Sequence, residues 1–482
     1  MGRLEQLKPQ DVFRYFEEIS AIPRGSGNTA AIRDYLVEFA GDRDLKCEAD
    51  EAGNVIIYGP ASSGYQNSDP VILQGHIDMV CAKKTDHAHD FLTEPLELDC
   101  DDEYVFAKGT SLGGDDGIAV AYMLALLDTD EIPHPALECV FTADEEVGLI
   151  GAAALDTKKL KGRRLINLDS EDEGILTCGC AGGIRVDVIL PITRITQKGL
   201  PVRVTVGGLQ GGHSGMEIDK NRVNADKLLG RYLYELNRAG AFSLSTISGG
   251  DKDNAIPASS KAEIVIDEDD FTSLEAFTKK FSDKVKNENR GGDEQVEVRV
   301  ERLNVRKVSV LDLDSQDRII TFLMHAPTGV RKMSSLTPGL VQTSSNLGII
   351  KAGEKEFAAV LSVRSSVMTE REYLVEEIQS VSEYLGGAIG VRDPYPAWEY
   401  RENSPLRETM VNSYREFYGT EPVVNVIHAG LECGVFHDKI RGLDAVSIGP
   451  DILNVHTANE KLSIASTERT WEYLKKVLAD LK

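Results

Sequence analysis

The chain has 482 residues, too many for one compact core, so two or three domains are expected. With 78 acidic against 53 basic residues the formal net charge is −25, which argues against a nucleic-acid or anionic-membrane partner, since phosphate binding needs a positive footprint. No apolar run approaches membrane-spanning length, and seven scattered cysteines fit reduced thiols in a cytoplasm better than a disulfide framework. The opening MGRLEQLKPQ has no apolar stretch of a secretion signal, and Gln6 stands where a myristoylation motif needs Ser or Thr, so a cytoplasmic protein is expected.

Two amphipathic helices come first, with stripes Val12, Phe13, Phe16, Ile19 and Ile32, Leu36, Phe39. NVIIY (Asn54 to Tyr58) reads as a strand and Gly59 to Asp69 as a loop. VILQGHIDMV, Val71 to Val80, reads as a buried strand of a mostly parallel sheet. Its end brings His76 and Asp78 to a crevice rim, and their i, i+2 spacing lets Asp78 hold one ring nitrogen while the other faces a metal. A satisfied buried His–Asp pair is the plainer alternative. His87 and His89, in the polar stretch Lys83 to Asp102, are expected to be exposed and not to ligate.

In KGTSLGGDDGIAVAYMLALL a Gly113-Gly114 turn precedes a helix, with Asp115 and Asp116 at its start. One carboxylate there satisfies the helix end; two exceed that need. The strand LECVFT (Leu137 to Thr142) runs into Asp144, Glu145 and Glu146, which repel one another unless a cation is near. LINLD then ends in Asp169. Cys178 and Cys180 flank one glycine but lack a second pair to complete a tetrahedral site. From Arg185 to about Arg392 alternating strands and helices give α+β character, with a faint repeat between NAIPASSKAEIVID and TSSNLGIIKAGEKEFAAVLSVRSS. The expected organisation is therefore an α/β domain in two pieces, residues 1–184 and 393–482, with an inserted α+β domain at 185–392, in which the repeat hints at two similar halves. The closing helix, Thr467 to Leu481 capped by Ser466 or Thr467, follows a loop that holds His456.

Histidines and carboxylates without thiolates suit a pair of divalent ions, Zn²⁺ with Mn²⁺ or Co²⁺ as substitutes, and Glu145 beside Glu146 offers a base next to a ligand. HIDMV, GTSLGGDDG, TADEEVG, INLDSE, GGHSG and VHTANE, in that order over nearly the whole chain, resemble the M20 metallopeptidase clan. CGCAGG and GGHSGMEI are similar to its aminoacyl-histidine dipeptidase, or peptidase D, branch.

The resemblance implies that His76 and Asp169 hold one zinc, Glu146 and His456 the other, and Asp115 bridges them across a cis peptide to Asp116. Asp78 would orient His76, and Glu145 would be the general base for a hydroxide held between the ions. The inserted domain would be a lid, about twice the length found in small-lid members. In it His213 would polarise the scissile carbonyl, while Asn254, Arg364, His428 and Gly430 would hold the substrate. Aspartate at position 169 implies recognition of a free α-amine. The expected substrates are Xaa-His and other unblocked dipeptides. A related amidohydrolase removing N-acyl groups is the alternative, a non-catalytic metal-binding protein is disfavoured by the full ligand set, and a homodimer through the lid is left open by the chain.

Overall fold

The computed structural model describes residues 3–482. The chain packs as two compact units. The first comprises the chain up to Cys180 with Trp398–Val426 and Leu431–Lys482; the second comprises Ala181–Ala397 and Ile427–Gly430. The second unit therefore takes in the short piece that carries His428 and Gly430.

The first unit is built on an eight-stranded sheet, in the order Lys46–Ala49, Val55–Gly59, Leu137–Thr142, Val71–His76, Arg164–Asn167, Asp444–Ser447, Ile175–Cys180 and Val423–Ile427. Its four central strands, from Leu137–Thr142 to Asp444–Ser447, are mutually parallel, while Lys46–Ala49, Val55–Gly59 and Ile175–Cys180 pair antiparallel at the flanks. Continuous apolar runs mark the parallel centre because both faces are covered: every residue of Val71–His76 and of Leu137–Thr142 is buried. Lys46–Ala49 gave no such signal, since KCEA is half exposed at the sheet edge.

Helix Gly114–Leu127 is buried along almost its whole length, as an Ala- and Leu-rich helix without a polar face must be. It comes so close to the Val71–His76 strand that a Cβ at Gly75 would stand 2.5 Å from Ala119 Cβ, which explains the glycine inside that apolar run. Helices Gln10–Ser20 and Ala30–Asp42 bury the stripes read from the sequence.

Two boundaries differ from expectation. The strand ends at His76, six residues long, so Ile77 to Val80 form the connection that leaves the rim. The last helix is Ile464–Asp480, three residues earlier than expected, because the Ser463 hydroxyl takes the cap by accepting the Ser466 N–H. His87 and His89 are half-buried rather than exposed, their rings stacked with centroids 6.2 Å apart.

The second unit is a ten-stranded sheet whose main path runs Glu297–Arg302, Arg194–Gly207, Ser260–Ile266, Ser243–Gly249, Val341–Ala352, Glu356–Ser365, Gly182–Pro191 and Ala388–Tyr395, antiparallel throughout. Helices Ala225–Ala239, Phe271–Glu288, Leu313–His325 and Met368–Tyr384 cover it around a core of Val186, Val204, Leu229, Phe322 and Leu361. Among the described residues no helix is long and apolar enough to cross a membrane.

Candidate active site

Parallel pairing sets the rim of the first unit. His76 is level with Thr142, Gln74 with Asn167, and Asn167 with Ser447, so residues just past these strands emerge on one edge. His76 is fully buried there. Its Nε2 lies 3.0 Å from Asp115 Oδ1 and 3.6 Å from Asp169 Oδ1. Its Nδ1 faces Asp78, nearer the backbone carbonyl at 3.2 Å than the carboxylate at 3.4 Å.

The Asp78 carboxylate is also occupied with holding the neighbouring turn, accepting the Glu145 N–H at 3.0 Å and the Ser26 hydroxyl at 2.8 Å. His456 comes from the loop between the short strands Ile452–Leu453 and Lys461–Ser463; its Nε2 lies 3.0 Å from Asp115 Oδ2 and 2.9 Å from Glu146 Oε1. Each oxygen of Asp115 thus meets one histidine, with Asp169 on the His76 side and Glu146 on the His456 side.

Three sets of donor atoms fall within 4.8 Å of one another: His76 with Asp116 and Asp169, His76 with Glu145 and Glu146, and Asp115 with Glu146 and His456. Asp116 competes with Asp115 for the first set. Its Oδ2, however, already accepts the His76 backbone N–H at 3.1 Å, and burial beside Asp169 and Asp115 favours its neutral form. The Asp115–Asp116 peptide is cis.

Electrostatics supply the test of whether cations fit here. Burial pushes the Asp169 carboxyl up to about 6, Glu432 to about 7 and Glu171 to about 8, and raises Glu145 well above the carboxylate range. Burial works in the same direction at Asp115, but hydrogen bonds from His456 and His76 outweigh it and hold that group ionised. In return, the bond to Asp115 and the nearby Glu146 carboxylate raise His456 to about 11, and His76, despite its burial, rises through Asp115 and Asp169. The two imidazoles and the carboxylates around Asp115 thus favour one another's charged forms. Glu146 Oε1 remains buried without a properly directed hydrogen bond, although His456 Nε2 is only 2.9 Å away. A donor set of imidazoles and carboxylates with an orphaned buried oxygen suits divalent ions.

Two further residues, for which the sequence carries no evident signal, hold this arrangement. Arg24 is fully buried; its Nη1 donates to the carbonyls of Ile77 and Asp78 at 3.1 and 3.2 Å and its Nη2 to that of Gly113 at 2.5 Å, tying the His76 connection to the Asp115 loop. Glu460 accepts the backbone N–H groups of Leu112 (2.8 Å), Gly113 (3.0 Å), Gly114 (2.8 Å) and Asp115 (3.2 Å). It therefore holds the loop that presents Asp115 with a carboxylate from 345 residues away. The motif VHTANE contains Glu460, but spacing alone gives it no role. Beneath the rim, Gln74 and Thr142 both donate to Glu432 Oε2, at 2.5 and 2.6 Å, in a fully buried polar layer.

A second cluster lies within the second unit. The two-residue strand Gly212–His213 pairs with Ala255–Ile256, and Ser214 N–H donates to the Asn254 carbonyl at 2.9 Å, so GGHSG and NAIP are held side by side. His213 Nδ1 accepts the N–H groups of Met216 (3.0 Å) and Gly215 (3.3 Å), which puts the ring proton on Nε2. Burial and the Arg364 charge keep this imidazole neutral.

His428, pushed down to about 3 by burial and by Arg364, is neutral too; its Nε2 lies 2.7 Å from the Ser344 hydroxyl. The three groups converge at Gly215, where a Cβ would stand 2.7 Å from the His428 carbonyl oxygen, 3.1 Å from His213 Cε1 and 3.2 Å from Arg364 Nε. Among the residues expected to hold substrate, His213, Arg364 and His428 meet around one point. Asn254 joins through its backbone.

The profile of peptidase family M20/M25/M40 matches residues 72–480. The chain belongs to this family. Its members are metal-dependent peptidases. Over 486 aligned residues, 100% of this chain and 99% of the relative, it is 34% identical to the cytosol non-specific dipeptidase of Escherichia coli (strain K12). The crystal structure of aminoacylhistidine dipeptidase from Vibrio alginolyticus superposes with a TM-score of 0.91 at 35% identity, covering 98% of this chain and 97% of that one. A tripeptidase from Staphylococcus aureus, 16% identical with a TM-score of 0.59 over 98% of this chain and 99% of that one, shares the fold.

Proposed function

We propose that this M20 peptidase is a cytosolic dizinc dipeptidase that hydrolyses Xaa-His and other unblocked dipeptides. The observation that carries the reading is the Asp115 carboxylate, whose two oxygens lie 3.0 Å from His76 and 3.0 Å from His456. In this reading His76 and Asp169 would hold one ion, Glu146 and His456 would hold the other, and Asp115 would serve both; Mn²⁺ or Co²⁺ would suit the same donors. Two bound divalent ions would make a water nucleophilic near neutral pH and polarise the peptide carbonyl.

The chain supplies the remaining chemistry. Asp78 fixes the His76 ring. Glu145, whose burial raises its affinity for a proton, takes the proton of the attacking water and returns it to the departing amine. The Nε2–H of His213 donates to the carbonyl oxygen as negative charge develops on it. Arg364 takes the terminal carboxylate, Asn254, His428 and Gly430 are further substrate contacts, and Asp169 accounts for the demand for a free α-amine. The full-length relatives, one named a cytosol non-specific dipeptidase and one an aminoacylhistidine dipeptidase, support this substrate class.

The test is hydrolysis of β-alanyl-histidine, alanyl-histidine, N-acetyl-alanyl-histidine and alanyl-alanyl-histidine, with and without chelator and added zinc. Cleavage of the unblocked dipeptides alone, abolished by chelator and restored by zinc, is expected. Preference for the acetylated substrate would establish an amidohydrolase instead. For His213→Ala, zinc content should be unchanged while kcat falls by about 10²–10³, the usual loss for one oxyanion donor. Loss of zinc from that variant would contradict the role.

A further inference from the structure

We propose that Tyr395 is a positioning residue that aims the Arg364 guanidinium at the substrate's terminal carboxylate, an inference that rests on the reading of Arg364 given above. The Tyr395 hydroxyl accepts Arg364 Nη1–H at 2.7 Å. Arg364 is 5% exposed and its Nε has no hydrogen-bond partner, so the phenol takes one corner of the guanidinium and Nε is left without an acceptor. A buried Nε–H costs free energy until an acceptor arrives, and a carboxylate matches a guanidinium edge in a bidentate pair.

The backbone explains why the two side chains meet. Gly183 pairs with Arg364 on one side and with Tyr395 on the other, so the three residues lie in register across three strands. Paired residues share a face, and with no side chain at Gly183 the phenol and guanidinium reach each other over it. The Tyr395 ring fills the space a Cβ would need there, and a Cβ at Gly430 would stand 2.7 Å from ring Cε2. One glycine of CGCAGG and one of HAGLECG are thus the two sides of a slot for one aromatic ring.

The register shift between Arg392 and Tyr395 turns the tyrosine into the slot, and Arg371 Nη1 fastens the carbonyls of Gly183 (3.0 Å) and Tyr395 (2.8 Å) together. Gly430 accordingly has a packing reason to be glycine besides contact with substrate.

The test compares alanyl-alanine with alanyl-alaninamide, which lacks the carboxylate, in the metal-loaded full chain. Tyr395→Phe keeps the ring and deletes only the hydroxyl. It should raise KM for the acid about tenfold, the usual worth of a hydrogen bond to a charged group, with kcat changed less than about twofold and the amide unaffected. Arg364→Ala should abolish the preference for acid over amide, and Tyr395→Phe should add nothing in that background.

If Arg364→Ala leaves the preference intact, the reading of Arg364 fails and this inference with it. If Arg364→Ala removes the preference while Tyr395→Phe leaves it unchanged, or adds equally in both backgrounds, Tyr395 alone is excluded.

Discussion

Glu145→Gln is expected to retain its full metal content and to lose about 10²–10⁴ in kcat, the usual share of a general base. Glutamine has the same shape and keeps the backbone N–H that donates to Asp78 at 3.0 Å, so the turn carrying Glu146 should stay in place. It cannot accept the water's proton. The discriminating measurement is zinc content alongside kcat, because Glu145 also falls with His76 and Glu146 in one set of donor atoms within 4.8 Å. A variant that loses both metal and activity would make Glu145 a ligand. A variant with kcat intact would remove it from the mechanism.

The second large effect is expected at Glu460. Its two oxygens serve four backbone N–H groups, from Leu112 to Asp115. Glutamine offers one oxygen and turns an NH₂ group toward the others, so at least two N–H groups lose their acceptor at about 1–3 kcal/mol each. Glu460 is also the foremost opposite charge favouring the fully buried Arg24 guanidinium. Glu460→Gln should therefore lower the thermal midpoint of the metal-free protein by roughly 5–10 °C. It should also weaken zinc binding, because the Asp115 loop loses its support. An unchanged midpoint together with unchanged zinc affinity would show that the loop holds itself.

What the sequence revealed divides along a physical line. His76, Glu145, Glu146 and Asp169 were legible because each follows an apolar run, and continuous burial on both faces marks the centre of a parallel sheet. Asp115 was legible because two acids after Gly113-Gly114 exceed what a helix end requires. The antiparallel flank was not, since KCEA carries neither alternation nor a long apolar run.

Arg24 and Glu460 were missed for a different reason. Every hydrogen bond they make in the site is to a backbone carbonyl or N–H, and backbone partners leave no trace in residue identity. Tyr395 is similar: its place beside Arg364 depends on the absence of side chains at Gly183 and Gly430, nearly 250 residues apart in the chain. The start of the final helix is set by the Ser463 hydroxyl, a local cap that hydrophobic periodicity does not record.

Zinc bound per chain should be counted by titrating chelator-treated wild type and Asp115→Ala while following alanyl-histidine hydrolysis. Activity in the wild type should return in full only after two equivalents, and Asp115→Ala, having lost the carboxylate shared by His76 and His456, should bind zinc far more weakly and stay inactive. Full activity in the metal-free wild type, or two tightly bound ions in Asp115→Ala, would contradict the dizinc reading.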